Sequence, residues 1–431
     1  MGRGVVPARS GSGRGRRGPA AAAGVLLLAL LAGCTGGSGS GTTGGLADGS
    51  GTTGGSSAPT QTTPPPAPAA VLAFSPRNGS TGAAVTKPVV VSAKGGTLTS
   101  VTVRNADGKP VKGSLNPDRT TWTSAEPLGY EKSYAVNATA QNADGKAVKG
   151  TSTFKTVEPR TVTMPYLFPG PDGPKTVGIG QPITVRFDES IGDKANAEKA
   201  LIVTTSPKVD GAWHWFSDQV AHWRPRTYWK PGTKVTVRAA VYGVHVGDDI
   251  YGQQDVTSSF TIGPSRIFTI DDRTHTGVIK VNGRVVKSSV PVSMGRGGKT
   301  TVNGKSIFFT TQSGPHIVAE KYAVKQMRSE SYGLPKDSPL GYDEKIPLAV
   351  RISPDGEFVH AASWSVGDQG RRNVSHGCVN ISPANARWFY DTFSYGDIVD
   401  IKNTGVNLPF APGYNEWGVS WATWLQGSAL R

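Results

Sequence analysis

From Val71 onward the chain is a succession of short alternating apolar–polar runs, punctuated by Gly, Asp-Gly and Asn-Gly. Tyr134-Ala135-Val136-Asn137-Ala138-Thr139-Ala140 alternates strictly, the period of a half-buried strand. Asn105-Ala106-Asp107-Gly108-Lys109 returns as Asn142-Ala143-Asp144-Gly145-Lys146. Asp-Gly supplies the positive φ angles of a tight hairpin. Two copies are too few for a solenoid, so they read as two similar turns in one sandwich. Residues 71–157 are thus predicted as one immunoglobulin-like β-sandwich, and 158–264 as a second.

The second unit carries Trp213, Trp215, Trp223 and Trp229, with His214 and His222 interleaved. The indoles suit a sandwich core, with an aromatic-lined groove as the alternative. His214, His222 and His245 lack a thiol nearby and make a poor zinc set.

A third region, 265–403, begins with a hairpin. Val278–Val281 and Arg284–Lys287 flank Asn282-Gly283. Leu348–Ile352 and Phe358–His360 flank Asp355-Gly356, which puts His360 at a strand end. Ser382-Pro383 opens a helix, with Ser as N-cap and Pro first, running to about Phe393 with Trp388 and Phe389 inward. Ile398–Ile401 forms a closing strand. In the tail, 404–431, Trp417, Trp421 and Trp424 are spaced for one helical face, expected to pack on this third domain.

The N-terminus reads differently. Arg3, Arg9, Arg14, Arg16 and Arg17 precede the apolar run Ala20–Ala32, a secretory signal too short to span a bilayer as a mature helix. It ends in Leu31-Ala32-Gly33-Cys34, which resembles a bacterial lipobox. That resemblance implies cleavage after residue 33 and lipid on Cys34; an ordinary signal cut nearby is the alternative. Residues 34–70 are rich in Gly, Ser, Thr and Pro and are expected to be a disordered tether. The expected location is outside the cytoplasmic membrane, lipid-anchored to its outer face, acting in the wall.

The chain carries 46 Lys and Arg against 31 Asp and Glu, a net charge of +15, which falls to +10 once residues 1–33 and their five arginines are gone. A basic exported protein is expected either to be drawn to anionic wall polymers or lipid head groups, or to use its charge for solubility alone. Export makes nucleic acid a poor partner.

With Cys34 set aside, Cys378 is the one remaining thiol of the two cysteines. A lone cysteine among histidines is a candidate nucleophile, and because the thiolate is the reactive form it needs a base in reach. His376 is two residues away and His360 eighteen residues upstream; both are available. Ser375-His376-Gly377-Cys378-Val379-Asn380, with His360 at that spacing, resembles the L,D-transpeptidases, cysteine enzymes with a YkuD-type catalytic domain that cross-link peptidoglycan. The resemblance runs from about Ile267 to the C-terminus. It takes in Met327, Gly341-Tyr342 and Trp364-Ser365-Val366-Gly367, which match mycobacterial members closely.

This resemblance implies a mainly β protein: two immunoglobulin-like sandwiches, then a YkuD-type β-rich catalytic domain with short helices. It implies Cys378 as nucleophile and His360 as base and acid. The third group that holds the His360 tautomer would be a backbone carbonyl, where relatives often carry serine and this chain has Ala361. His376 is then structural or lines the site, with a role as rival base still open. The N–H groups of Gly377 and Cys378 are expected as oxyanion donors. Met327, Tyr332, Tyr342 and Trp364 are expected as walls, Ser375 as a substrate contact, and Asn380 as a substrate contact that also braces the loop by hydrogen bonds. Arg371 and Arg372 could meet a stem-peptide carboxylate. Thr311-Gln312-Ser313-Gly314 replaces a Thr-Pro-x-Gly of many relatives. No metal or other cofactor is implied. The implied partners are donor and acceptor stem peptides and carbapenem-type β-lactams. Implied activity is 3→3 cross-linking through a Cys378 thioester. Hydrolysis as an L,D-carboxypeptidase and a non-catalytic wall-binding lipoprotein are the alternatives.

Overall fold

The computed structural model describes residues 65–431. The signal segment, Cys34 and the tether up to residue 64 lie outside the described residues. The last part of the expected tether is held in place: Asn142 Nδ2 donates to the carbonyls of Ala67 at 2.9 Å and Pro68 at 3.2 Å, and Ala70 is buried. The docking site is a distant turn asparagine, which local composition could not reveal.

The first sandwich pairs two four-stranded sheets. One runs Val71–Ser75, Val90–Lys94, Thr121–Ser124, Gly113–Leu115; the other Ser80–Ala83, Ala147–Thr156, Ser133–Gln141, Thr97–Asn105. Tyr134, Val136, Ala138 and Ala140 enter the shared core with Trp122 and Phe154, so the strict alternation becomes one buried and one wet face. Both repeated turns close alike. Asn105 Oδ1 accepts from Lys109 N and Asn142 Oδ1 from Lys146 N, each at 2.8 Å. The second joins two long paired strands, Ser133–Gln141 and Ala147–Thr156, whereas the first is followed by a single bridge, Arg104 to Pro110. After the first turn the chain leaves for the opposite sheet.

The second sandwich holds Pro165–Phe168, Ile183–Phe187, Val220–Pro225 and Gly211–Trp215 against Thr176–Val177, Val256–Ile262, Lys234–Ala239 and Leu201–Ser206. Trp213, Trp215, Trp223 and Trp229 are all buried in its core, which excludes the groove. Ile317 and Ile398 of the third domain belong to the same apolar cluster. Gly178 and Gly180 also donate backbone hydrogen bonds at 2.7 Å to the carbonyls of Tyr395 and Gly396.

The third domain sets a five-stranded sheet (Arg284–Pro291, Thr276–Val281, Arg266–Asp271, Ile398–Lys402, Gly314–Ile317) beside a four-stranded one (Glu320–Arg328, Asp343–Arg351, Phe358–Ala361, Val379–Ile381). The helix Pro383–Thr392 starts as its residues dictate, with Ser382 Oγ accepting from Asn385 N and Pro383 in the first turn. Phe389 is buried and Trp388 half-buried. Phe268, Val350, Val359, Val379, Phe389 and Val399 fill the core between these elements.

The tail does not pack as expected. Trp417 sits in a separate turn, Glu416–Gly418, ahead of the helix Trp421–Leu425. Residues before it follow the catalytic strand Gly314–Ile317, but the indoles cross to the second sandwich. There the buried Arg224 guanidinium lies 4.6 Å from the Trp424 ring, 4.7 Å from Trp417 and 5.4 Å from Trp421. Trp424 Nε1 donates to Ala212 O at 2.9 Å, and His222 Nδ1 lies 2.8 Å from Glu416 Oε1. The cation and acceptors that draw the indoles are on the second sandwich, about two hundred residues upstream, beyond the reach of a local reading.

Candidate active site

Phe358–Ala361 and Val379–Ile381 are adjacent parallel strands, with Val359 opposite Val379 and His360 opposite Asn380. Period-2 alternation divides their faces. Val359, Ala361, Val379 and Ile381 enter the core. Phe358 joins Met327, Ile346 and Ala349 in a second apolar cluster on which Tyr342 and Cys378 pack. His360 and Cys378 both line a cavity of about 400 Å³, together with Arg296, Met327, Tyr342, Trp364, Ser375, His376 and Asn380. A second cavity of about 590 Å³ shares Tyr342, His376 and Cys378 and adds Tyr332, Glu357 and Gly377. Tyr332 therefore walls the second space, and its hydroxyl is buried with no protein partner.

His360 Nδ1 lies 2.9 Å from the Ala361 carbonyl oxygen. A carbonyl only accepts, so Nδ1 carries the proton and Nε2 keeps its lone pair. Burial holds the imidazole neutral, down to about 4. Trp364 stacks beside it at 5.9 Å while remaining largely exposed. Burial also pushes the Cys378 thiol up to about 12, outweighing the Phe358 N–H that favours the thiolate. At rest the pair is a neutral thiol and a neutral imidazole, so proton transfer must accompany attack on a carbonyl.

Cys378 sits on a tight loop built by Ser375. Its Oγ accepts from Gly377 N at 3.0 Å and donates to Cys378 O at 2.7 Å. Two expectations are corrected here. The Ser375 hydroxyl is engaged within the loop and not offered to substrate. The Gly377 N–H is engaged with it, so it is not a free oxyanion donor. The Cys378 N–H, by contrast, meets no acceptor among the described residues. Gly377 has φ 143°, in the region L side chains rarely adopt, which is why the loop needs glycine there.

Thr311 Oγ1 donates to the Gly377 carbonyl at 2.7 Å and accepts from Gly295 N at 2.8 Å. In a trans peptide C=O and N–H point in opposite directions. Holding the Gly377 carbonyl therefore aims the Cys378 N–H the other way. Asn380 is buried; its Nδ2 donates to Ser365 Oγ at 3.0 Å, and its Oδ1 has no protein partner.

His376 lies between Tyr342, at 5.1 Å, and Phe309, at 5.2 Å, with Arg296 Nη2 2.6 Å from its Nε2. A guanidinium cannot accept a hydrogen bond, so the ring must present a lone pair. Burial, then Arg296, hold His376 neutral, down to about 4. Taking a second proton beside Arg296 is unfavourable, which disfavours His376 as the base. Burial keeps the Tyr342 hydroxyl protonated, hence a donor. Arg371 and Arg372 line neither cavity, and Arg372 pairs with Asp368 at 2.6 Å. The cation at the site is Arg296, which nothing in Gly295-Arg296-Gly297-Gly298 marked out. Glu357 and Arg296 are site residues sequence reasoning missed, each acting across a long separation with no local motif; Thr311 stood in a segment read only as a departure from relatives.

Two domain families match this chain. Residues 80–245 match a bacterial Ig domain, and residues 265–401 match the L,D-transpeptidase catalytic domain, YkuD. The fold and site are thus those of bacterial Ig-like sandwiches joined to a YkuD catalytic domain. L,D-transpeptidase 2 of Mycobacterium tuberculosis is 44% identical over 83% of this chain and 85% of its own length. L,D-transpeptidase 5 of the same species is 37% identical over 85% of this chain and 78% of its own length. A solved L,D-transpeptidase from Mycobacterium smegmatis is 32% identical, covering 56% of this chain and 99% of that one at a TM-score of 0.44. The chain belongs to the L,D-transpeptidase family.

Proposed function

We propose that this L,D-transpeptidase joins peptidoglycan stems by 3→3 cross-links through a thioester on Cys378. The observation that carries the reading is that His360, on one strand, and Cys378, at the loop end just before the parallel strand beside it, line one cavity, next to the unspent Cys378 N–H. The thiol sulfur attacks the carbonyl at the L-centre of the third residue of a tetrapeptide donor as His360 Nε2 takes its proton. The Cys378 N–H stabilises the oxyanion, with the protonated Tyr342 hydroxyl in the same cavity as a second donor. When the C–N bond breaks, His360 returns the proton to the leaving D-Ala amine. A neutral side-chain amine of an acceptor stem then attacks the thioester, giving its proton to His360, and the thiol is restored. Ala361 acts through its carbonyl, which holds the His360 tautomer.

A β-lactam carbonyl presents the same electrophile, so carbapenems are expected to acylate Cys378. Met327, Tyr342 and Trp364 would shape the donor space and Tyr332 the adjoining one. Export and a lipid anchor on Cys34 would keep the enzyme at the outer face of the membrane.

Purified enzyme incubated with tetrapeptide stems, read by mass spectrometry, tests the reading. Cross-linked dimers are expected, and Cys378→Ala should make none. Tripeptide and free D-Ala without dimers would identify a carboxypeptidase instead.

A further inference from the structure

Beneath the nucleophile loop lies a buried pair that the reaction above does not use. His316 is fully buried on the strand Gly314–Ile317, and Glu357 immediately precedes the strand that carries His360. Both grip the backbone of Gln312. Its N–H donates to Glu357 Oε1 at 2.8 Å, and its carbonyl lies 2.8 Å from His316 Nε2. The other imidazole nitrogen, Nδ1, lies 3.0 Å from the Ile352 carbonyl oxygen.

Each His316 nitrogen thus faces a carbonyl, which can only accept. A neutral imidazole has one N–H and would set a lone pair against one of these oxygens. An imidazolium satisfies both. A buried imidazolium needs a counter-charge, and Glu357 Oε2, buried with no hydrogen-bond partner, lies 3.8 Å from His316 Nδ1. Burial opposes this arrangement, pushing His316 down against the two carbonyl hydrogen bonds that raise it, and Glu357 up to about 8. The geometry favours the charged pair: it alone gives both ring nitrogens a donor role and the unpartnered Glu357 Oε2 a counter-charge at 3.8 Å. The other titratable groups facing the pair are Asp400, Asp355 and the neutral Cys378 thiol; Asp400 favours the imidazolium and Asp355 opposes ionised Glu357.

We propose that His316 and Glu357 form a buried imidazolium–carboxylate clamp on Gln312 that positions the oxyanion donor of the transpeptidase reaction. The path is short. Clamping Gln312 fixes Thr311, whose hydroxyl holds the Gly377 carbonyl at 2.7 Å and so aims the Cys378 N–H. Glu357 also supports the loop from below: its Cγ lies 3.9 Å from where a Cβ on Gly377 would stand. Both are positioning residues. The proposal rests on the acyl-transfer reading above, because it assigns them to the donor that reading uses.

Nitrogen-15 spectra of histidine-labelled full-length enzyme at pH 7 read the proton count directly, with the His316 signals assigned by difference from His316→Phe. Both His316 nitrogens are expected protonated. Glu357→Gln keeps an acceptor for the Gln312 N–H but removes the charge. It is expected to leave one His316 nitrogen bare and to slow acylation of Cys378 by imipenem about tenfold. A bare nitrogen on His316 in the wild-type enzyme overturns the clamp, as does an unchanged acylation rate in Glu357→Gln. Should that variant fail to fold, the wild-type spectrum still decides. If wild-type enzyme is not acylated at all, the acyl-transfer reading fails, while the spectrum reports on the pair regardless.

Discussion

Thr311 Oγ1 and the Gly377 carbonyl oxygen are 2.7 Å apart, so a hydroxyl on one loop sets the direction of the peptide entering Cys378 on another. Thr311→Val removes that donor and also strands the Gly295 N–H. It should slow imipenem acylation of Cys378 ten- to a hundredfold and cost about 1–3 kcal/mol of stability by thermal unfolding. Thr311→Ser should keep most of both. Equal rates in wild type and the valine variant would show that the bond does not orient the donor.

Gly377→Ala separates backbone strain from crowding. The nearest atom to an added Cβ is 3.9 Å away, so space is available, but φ 143° is not a conformation alanine adopts easily. The loop should shift, with acylation falling about a hundredfold for a stability cost of only about 1–3 kcal/mol. Paired stopped-flow and melting measurements would reveal the opposite pattern if packing were the constraint.

The pH profile of acylation should have an unusual acid limb. A general base works in its neutral form, and burial keeps His360 neutral down to about 4. The imipenem acylation rate should therefore hold from pH 7 to pH 5, whereas an ordinary histidine would begin to fail near about 6.5. Burial raises the thiol, so alkylation of folded enzyme by iodoacetamide should still be climbing past pH 9, where the unfolded chain levels off. An acid limb centred near 6.5 would count against the neutral pair.

Arg296 contributes to holding His376 neutral. Arg296→Gln removes a positive charge beside the ring, so His376 should titrate at a higher pH, toward the ordinary histidine value. A proton NMR titration of the ring would detect it, and no upward movement would mean that burial alone sets the value.

Trp424 is fully buried between the tail helix and the second sandwich. Trp424→Ala should cost about 3–5 kcal/mol by thermal or denaturant unfolding, while the acylation rate of the remaining folded enzyme changes little. A loss below about 1 kcal/mol would mean the tail is not docked in solution.

Much of the fold could be read along the chain because period-2 patterning, Asn-Gly and Asp-Gly turns and the Ser382-Pro383 helix start are local signals. The strands around His360 and the helix ending near Phe393 follow directly from them. The nucleophile motif is local too, so Cys378, His360 and His376 stood out. Contacts between distant segments did not. Ser375 and Gly377 look like motif residues available to substrate, yet their polar groups are bonded to each other. Arg296 reaches His376, and Thr311 reaches Gly377, across stretches no window spans. The tail indoles pointed to an apolar partner, but only the fold shows that Arg224 of the second sandwich is their meeting point.

Ile317 and Ile398 share a core with the second sandwich, and the strand that begins at Ile398 is hydrogen-bonded to the one carrying His316. Cutting the chain after residue 264 would bare that seam and leave the tail indoles without Arg224 and the Ala212 carbonyl that receive them. The sandwich next to the catalytic domain is therefore part of the enzyme's load-carrying frame, and the smallest autonomous catalyst should include it.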